Sequence, residues 1–190
     1  MHKNLPSKYY YINKFNKREI DNLEKGVSLI FRDYKNKINE NLIIEIKKYC
    51  KKKGIKFFLS NNFKISIKLN LDGVYIPSFN KNMRIMNYSL KKKFIVLGSA
   101  HNIKEIRTKE KQKVDLIFLS SIFKKKNTYL GFEKFKRLSK MTKIRTIALG
   151  GINKKNINRL KLLNLFGFAG ISHFKKKTAP KLIRAVLNFK

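Results

Sequence analysis

Eight short apolar runs, each followed by a stretch of helical period, constrain this chain more than any other feature. The runs are Tyr9–Asn13, Val27–Arg32, Ile55–Leu59, Asp72–Ile76, Phe94–Leu97, Asp115–Leu119, Arg145–Leu149 and Gly167–Ile171. Between and after them lie Phe15–Leu23, Asn39–Lys53, Phe63–Leu69, a segment near Asn82–Leu90, Asn102–Lys113, Gly131–Lys140, Lys154–Leu165 and Phe174–Phe189. In Asn39–Lys53, Leu42, Ile43, Ile46, Tyr49 and Cys50 fall on one helical face, and Gly54 stops it. Strands separated by helix-length connections pair in parallel through right-handed crossovers. The closure that satisfies eight such units is an α/β architecture, a single (β/α)8 TIM barrel over residues 1–190. Such barrels usually need about 250 residues, so 190 leaves room only for short loops and short helices. An open doubly wound sheet is the alternative topology, although no G-x-G-x-x-G turn favours it.

Composition narrows the class further. Hydrophobic residues make up 43% of the chain, with 15 Phe and 8 Tyr, which is enough burial to oppose chain entropy despite a net charge of +35. No run reaches the roughly 18 apolar residues of a membrane helix, and the N-terminus has no signal-like apolar core, so the expected setting is cytoplasmic, with no membrane partner. The single Cys50 excludes an internal disulfide framework. The charge invites nucleic acid, yet the same richness in Lys, Asn, Ile, Phe and Tyr is what A/T-rich codons produce. The lysine runs 51–53 and 91–93 precede strands while 124–126 and 175–177 follow them. They are expected at opposite poles, which argues against a specific nucleic-acid partner. A homo-oligomer stays open.

In a barrel of this kind the chemistry gathers where strands end. The polar residues there are Arg32, Asp33 and Lys35; Ser60, Asn61 and Asn62; Pro77, Ser78 and Asn80; Gly98, Ser99 and His101; Ser120, Ser121 and Lys124–Lys126; Gly150 and Gly151; Gly170 and Ser172. In Ala148–Ile152 (ALGGI) paired glycines let backbone approach a ligand and aim N–H groups at it, with Asn153 placed to begin the next helix. Phe168–Ser172 (FAGIS) ends the eighth strand. These two positions are where barrels often hold a phosphate, although the glycine pair also suits a plain tight turn.

Several segments in this order resemble the thiamine phosphate synthase/TenI family: YYYIN in the first strand, FRD closing the second, DGVYI, GSAHN, DLIFLSSIF, LG opening the sixth helix, ALGGI and FAGIS. The resemblance implies an enzyme of thiamine biosynthesis. A pyrimidine diphosphate held by Mg²⁺ would lose diphosphate, and a hydroxyethylthiazole phosphate would capture the resulting cation. It implies that Gly150, Gly151, Gly170, Ile171 and Ser172 form the thiazole-phosphate cradle. Ser99, Arg32 and Lys35 would approach the diphosphate, although the family's lysine aligns with Tyr34 unless the register shifts by one.

The departures from that pattern are chemical. Both metal carboxylates of the family fall on amides, Asn61 and Asn80, which puts Mg²⁺ in question because that ion prefers anionic oxygen. Ile30 stands at the position of a Gln, and Lys124, Lys125, Lys126, Asn127 and Thr128 replace a Thr-x-Thr-Lys loop. The tautomerase histidine of the family reads Ser121. Two readings follow: a synthase in which Lys35 and Lys124–Lys126 stand in for part of the metal charge, or a non-catalytic binder of thiazole phosphate or thiamine phosphate.

Overall fold

The computed structural model describes residues 3–125, 127–171, 173 and 174. Eight parallel strands close in sequential order into a barrel: β1 (Lys8–Ile12), β2 (Val27–Phe31), β3 (Phe57–Ser60), β4 (Gly73–Ile76), β5 (Ile95–Ala100), β6 (Leu116–Ser120), β7 (Thr146–Leu149) and β8 (Gly167–Ala169). The last strand pairs with the first through Lys8↔Phe168 and Tyr9↔Ala169. Outside lie α1 (Lys17–Asp21), α2 (Glu40–Lys52), α3 (Phe63–Lys68), α4 (Ile103–Lys111) and α5 (Gly131–Lys140), with 3-10 helices at Met83–Asn87 and Ile157–Leu162. The open doubly wound alternative is thereby excluded.

Strand alternation assigns the two faces. Tyr9, Tyr11, Ile30, Phe58, Tyr75, Ile95, Leu97, Leu116, Phe118, Ile147 and Ala169 fill the interior. The opposite parity packs against the helices in two clusters, one around Ile43, Ile46 and Phe57, the other around Ile106, Ile117 and Phe135. Phe118 is the interior hub, with edge contacts to Tyr9 at 4.9 Å and to Tyr75 at 5.4 Å between ring centroids. The Tyr9 hydroxyl, buried low in this interior, makes no hydrogen bond among the described residues.

Asparagine side chains start most of the helices: Asn16, Asn39, Asn62, Asn82 and Asn102 each accept from backbone N–H groups of the first turn. Several boundaries differ from the sequence expectation: β3 starts at Phe57 and takes in Ser60, β8 ends at Ala169 and not at Ile171, and α1 is only Lys17–Asp21. β5 runs through Gly98 and Ser99 to Ala100, because Gly98 pairs with Ile76 and Ile117 on both sides and does not break the ladder. β6 likewise takes in Ser120. The helix expected over Lys154–Leu165 is a 3-10 helix at Ile157–Leu162. There the side chains of Asn153 and Asn156 bond to nearby backbone, offering it an alternative to the helical ladder. The expected closing helix Phe174–Phe189 lies outside the described residues beyond its first position.

Candidate active site

The C-terminal pole of the strands collects the polar side chains. Continuing the inward parity puts Arg32, Ser60, Ser99 and Ser120 at the mouth of the barrel above the aromatic interior. Ser99 and Ser120 are therefore strand residues projecting into the mouth and not loop residues as the sequence suggested. The Arg32 guanidinium lies 4.7 Å from the Tyr11 ring centroid, a cation–π contact that steers its charge over the barrel axis. Burial pushes the Tyr11 phenol well above its ordinary pKa, so it stays neutral.

The loop after β2 turns on Asp33. Its carboxylate accepts from the N–H of Lys35 at 3.0 Å and from the Asn36 amide at 2.7 Å, which holds its pKa below the usual range. Lys35 is exposed beyond this turn. Tyr34 leans back instead: its hydroxyl shares a 2.8 Å hydrogen bond with Ser60 Oγ, and its ring meets Phe79 edge-on at 5.4 Å. Burial pushes the Tyr34 phenol up to about 12.

Asn61 and Asn80 come together. Asn80 Nδ2 donates to Asn61 Oδ1 at 2.6 Å, and Asn80 Oδ1 accepts from the Asn82 N–H at 2.9 Å. Asn61 holds a left-handed backbone, φ 60°, which asparagine tolerates better than most residues. Two neutral amides joined by a hydrogen bond are a poor donor set for Mg²⁺. Asp33 is committed to its own turn, and among the described residues no cluster of three or more His, Cys, Asp or Glu side chains comes together to hold a metal. The side chains present do not fit the ion that the resemblance implies.

Beneath this pair Lys109 of α4 is fully buried. Its ammonium donates to the carbonyls of Pro77 at 2.9 Å and Asn80 at 2.8 Å, and to Gln112 Oε1 at 2.9 Å. Burial lowers its pKa to about 8, opposed by Glu105. Gln112 Nε2 donates to the carbonyls of Asn80 and Asn82, both at 3.1 Å. Reading the sequence for strand-end residues missed this network. Its trace was a polar residue, Lys109, three positions after the core residue Ile106 on a helix, in line with the apolar stripe.

Across the mouth, the glycine pair meets protein. Phe123 and Lys124 N–H groups donate to the Gly150 carbonyl at 2.9 and 3.2 Å. A side chain on Gly150, at φ 106°, would lie 2.3 Å from Ser121 Oγ, and one on Gly151, at φ 78°, 2.6 Å from the Lys124 nitrogen. The missing Cβ atoms are thus required by the loop after β6, which lies directly on the turn. That loop brings Lys124 and Lys125, both exposed, beside the glycines. The Gly170 N–H is already given to the Tyr9 carbonyl at 3.1 Å, so Gly170 offers close approach and no free donor. Ile171 is exposed. Lys126 and Ser172 lie outside the described residues. Asn153 opens a turn, its Oδ1 accepting from Lys155 N–H at 2.9 Å, and does not begin the next helix as the sequence suggested, since that helix starts at Ile157 after Asn156. His101 Nδ1 donates to the Ser120 carbonyl at 2.7 Å, so this ring braces β5 on β6.

The thiamine monophosphate synthase family model matches residues 15–174, taking in both poles of the barrel and every loop just described. The chain belongs to this family. It is 32% identical over 163 residues to a thiamine-phosphate synthase of Prochlorococcus marinus subsp. pastoris, covering 82% of this chain and 46% of that one. It is 30% identical over 159 residues to a putative thiamine-phosphate synthase 2 of Aquifex aeolicus, covering 80% and 85%. The chain therefore spans about half the length of the first relative and most of the second. A thiamine phosphate pyrophosphorylase structure from Pyrococcus furiosus shares the fold at 20% identity, TM-score 0.71, covering 88% of this chain and 86% of that one. No helix among the described residues is long and apolar enough to cross a membrane.

Proposed function

We propose that this member of the thiamine monophosphate synthase family joins a pyrimidine diphosphate to hydroxyethylthiazole phosphate, releasing diphosphate. The bond between the pyrimidine methylene carbon and the diphosphate oxygen breaks, and its electron pair leaves with diphosphate. The thiazole nitrogen lone pair then forms the new C–N bond. Such a step asks for fixed positive charge around the leaving group and little acid–base chemistry.

The observation that carries the reading is the loop Ser121–Lys125 resting on Gly150–Gly151, which puts two exposed lysines beside the turn that matches the family's phosphate cradle. In this reading Gly150, Gly151, Gly170, Ile171 and Ser172 are assigned to the thiazole phosphate. Arg32, Ser99 and Lys124–Lys126 are assigned to the diphosphate, together with Lys35, which would reach it from its exposed position beyond the Asp33 turn. Arg32 is the best oriented of these, since Tyr11 fixes its guanidinium over the mouth. No step is assigned to a metal, because Asn61 and Asn80 are neutral amides and Asn61 Oδ1 already accepts from Asn80.

Incubating the protein with both substrates, with and without Mg²⁺, and measuring thiamine phosphate tests the proposal. Product formation that falls steeply when Lys124, Lys125 and Lys126 are changed together to Ala is the expected result. Retained thiazole-phosphate binding without turnover would replace the enzyme with a binder.

A further inference from the structure

The loop Pro77–Asn82 carries Asn80 to Asn61, and its own framework is thin: within the loop, Asn80 N–H reaches the Pro77 carbonyl at 3.1 Å and Asn82 N–H reaches Asn80 Oδ1. What fixes it comes from below. All three N–H donors of the Lys109 ammonium are used, two of them on loop carbonyls, and Gln112 adds two more bonds to the carbonyls of Asn80 and Asn82. The lysine stem reaches this position across Gly98, where a Cβ would stand 2.9 Å from Lys109 Cδ. Burying an ammonium is costly, and an apolar side chain of similar volume would serve packing as well or better. The charge therefore has a task that packing does not explain.

We propose that Lys109 is a positioning residue for the diphosphate side of the mouth, holding the Pro77–Asn82 loop so that Asn80 meets Asn61. This rests on the proposed synthase reading for its kinetic consequence but not for its structural one. Lys109 touches no reacting atom. It acts through the backbone of Asn80, whose carbonyl, N–H and both side-chain polar atoms are all engaged.

The chain contains no Trp, so Phe79→Trp places a single fluorescent reporter in the loop. Within that background Lys109→Met removes the ammonium and keeps the stem. The expected result is a folded barrel by circular dichroism and a reporter indole that acrylamide quenches more readily. KM for the pyrimidine diphosphate should rise about tenfold or more, as for loss of a fixed geometry. KM for thiazole phosphate, assigned to the β7–β8 side, should change little. Unchanged quenching with unchanged KM overturns the proposal, as does an equal rise in both KM values, which marks a merely structural lysine. If Lys109→Met does not fold, Gln112→Leu is read in the same way, because it removes the two Gln112 bonds to the loop. If the wild type shows no turnover, the synthase reading fails and quenching of the reporter indole alone decides the role of Lys109.

Discussion

The two sides of the barrel mouth are held by different means. On the β3–β4 side, side chains do the holding: Asn61 with Asn80, Tyr34 with Ser60, and Lys109 with Gln112 under the loop. On the β6–β7 side, backbone meets backbone, with Phe123 and Lys124 N–H groups on the Gly150 carbonyl and no space for a Cβ at either glycine. Of the segments that carried the resemblance, the glycine turn of the second side matches it, whereas the amides of the first side and the lysine loop lying on that turn are replacements. A side-chain contact can be rebuilt, since two carboxylates bridged by a cation can become two amides bridged by a hydrogen bond. A contact that needs a missing Cβ has no such substitute.

The largest expected effect is therefore at the glycines. Gly150→Val adds a side chain at φ 106° and pushes into Ser121 Oγ and Cα, so both backbone strain and displacement of the β6 loop contribute. We expect a loss of about 3 kcal/mol or more, seen as a drop of roughly 6–12 °C in Tm for a domain of this size, together with loss of thiazole-phosphate binding. A Gly150→Val variant that melts with the wild type would mean that the loop yields freely and that the two sides are held alike.

On the β3–β4 side the next effect depends on pH. Lys109 titrates near 8 in the folded protein against an ordinary 10.5, so between those values the unfolded chain holds a proton that the folded chain has released. Unfolding then takes up a proton, and stability rises with pH through that window. Denaturant titrations at pH 7 and pH 11 should show the wild type gaining up to about 3 kcal/mol relative to Lys109→Met, the other lysines cancelling between the two proteins. No relative gain would mean that the buried ammonium is not depressed and that the clamp does not weaken the fold.

Much of the barrel was legible in the residues because strand parity and helix caps are local. The run DLIFL sets its inward and outward faces by alternation alone, and Asn39, Asn62 and Asn102 cap where their sequence context says they should. The strand ends were harder. Gly98 reads as a stop, yet it is a ladder residue whose missing side chain makes way for Lys109, on the next helix and eleven residues on in sequence. The polar ring of the mouth followed from the strand map, whereas its pairings did not. That Asn61 faces Asn80, or that Tyr34 turns to Ser60 and leaves Lys35 outside, depends on loop geometry that no period encodes.

The amide pair itself gives a smaller and more selective effect. Asn80→Asp alone should be nearly neutral, because the Asn61 amide can turn and donate to the new carboxylate while the Asn82 N–H keeps its acceptor. Asn61→Asp with Asn80→Asp places two carboxylates where the amides now stand 2.6 Å apart, and both cannot ionise there without a counter-charge. We expect that double variant to lose about 1–2 kcal/mol in metal-free buffer and to recover it in millimolar Mg²⁺, which binds the folded form alone. Calorimetric unfolding with and without the ion reads this directly. A double variant indifferent to Mg²⁺ would show that the loop geometry, and not the loss of charge, excludes the metal.

The smallest effect isolates one bond from the side-chain half of the mouth. Tyr34→Phe removes the hydroxyl bonded to Ser60 and leaves the ring free to keep its edge contact with Phe79. Ser60 is buried, so its hydroxyl loses a partner that water reaches poorly, whereas Tyr34 is 47% exposed and its own half of the bond is readily replaced. A net loss of about 0.5–1.5 kcal/mol is the usual worth of such a bond. If side chains hold this side additively, thermal melts of Tyr34→Phe, Lys109→Met and the combined variant should show the two losses summing, since the hydroxyl and the ammonium grip different loops. A combined loss clearly larger or smaller than the sum would show that the loops after β2 and β4 move as one body, with Phe79 on Tyr34 as the joint between them.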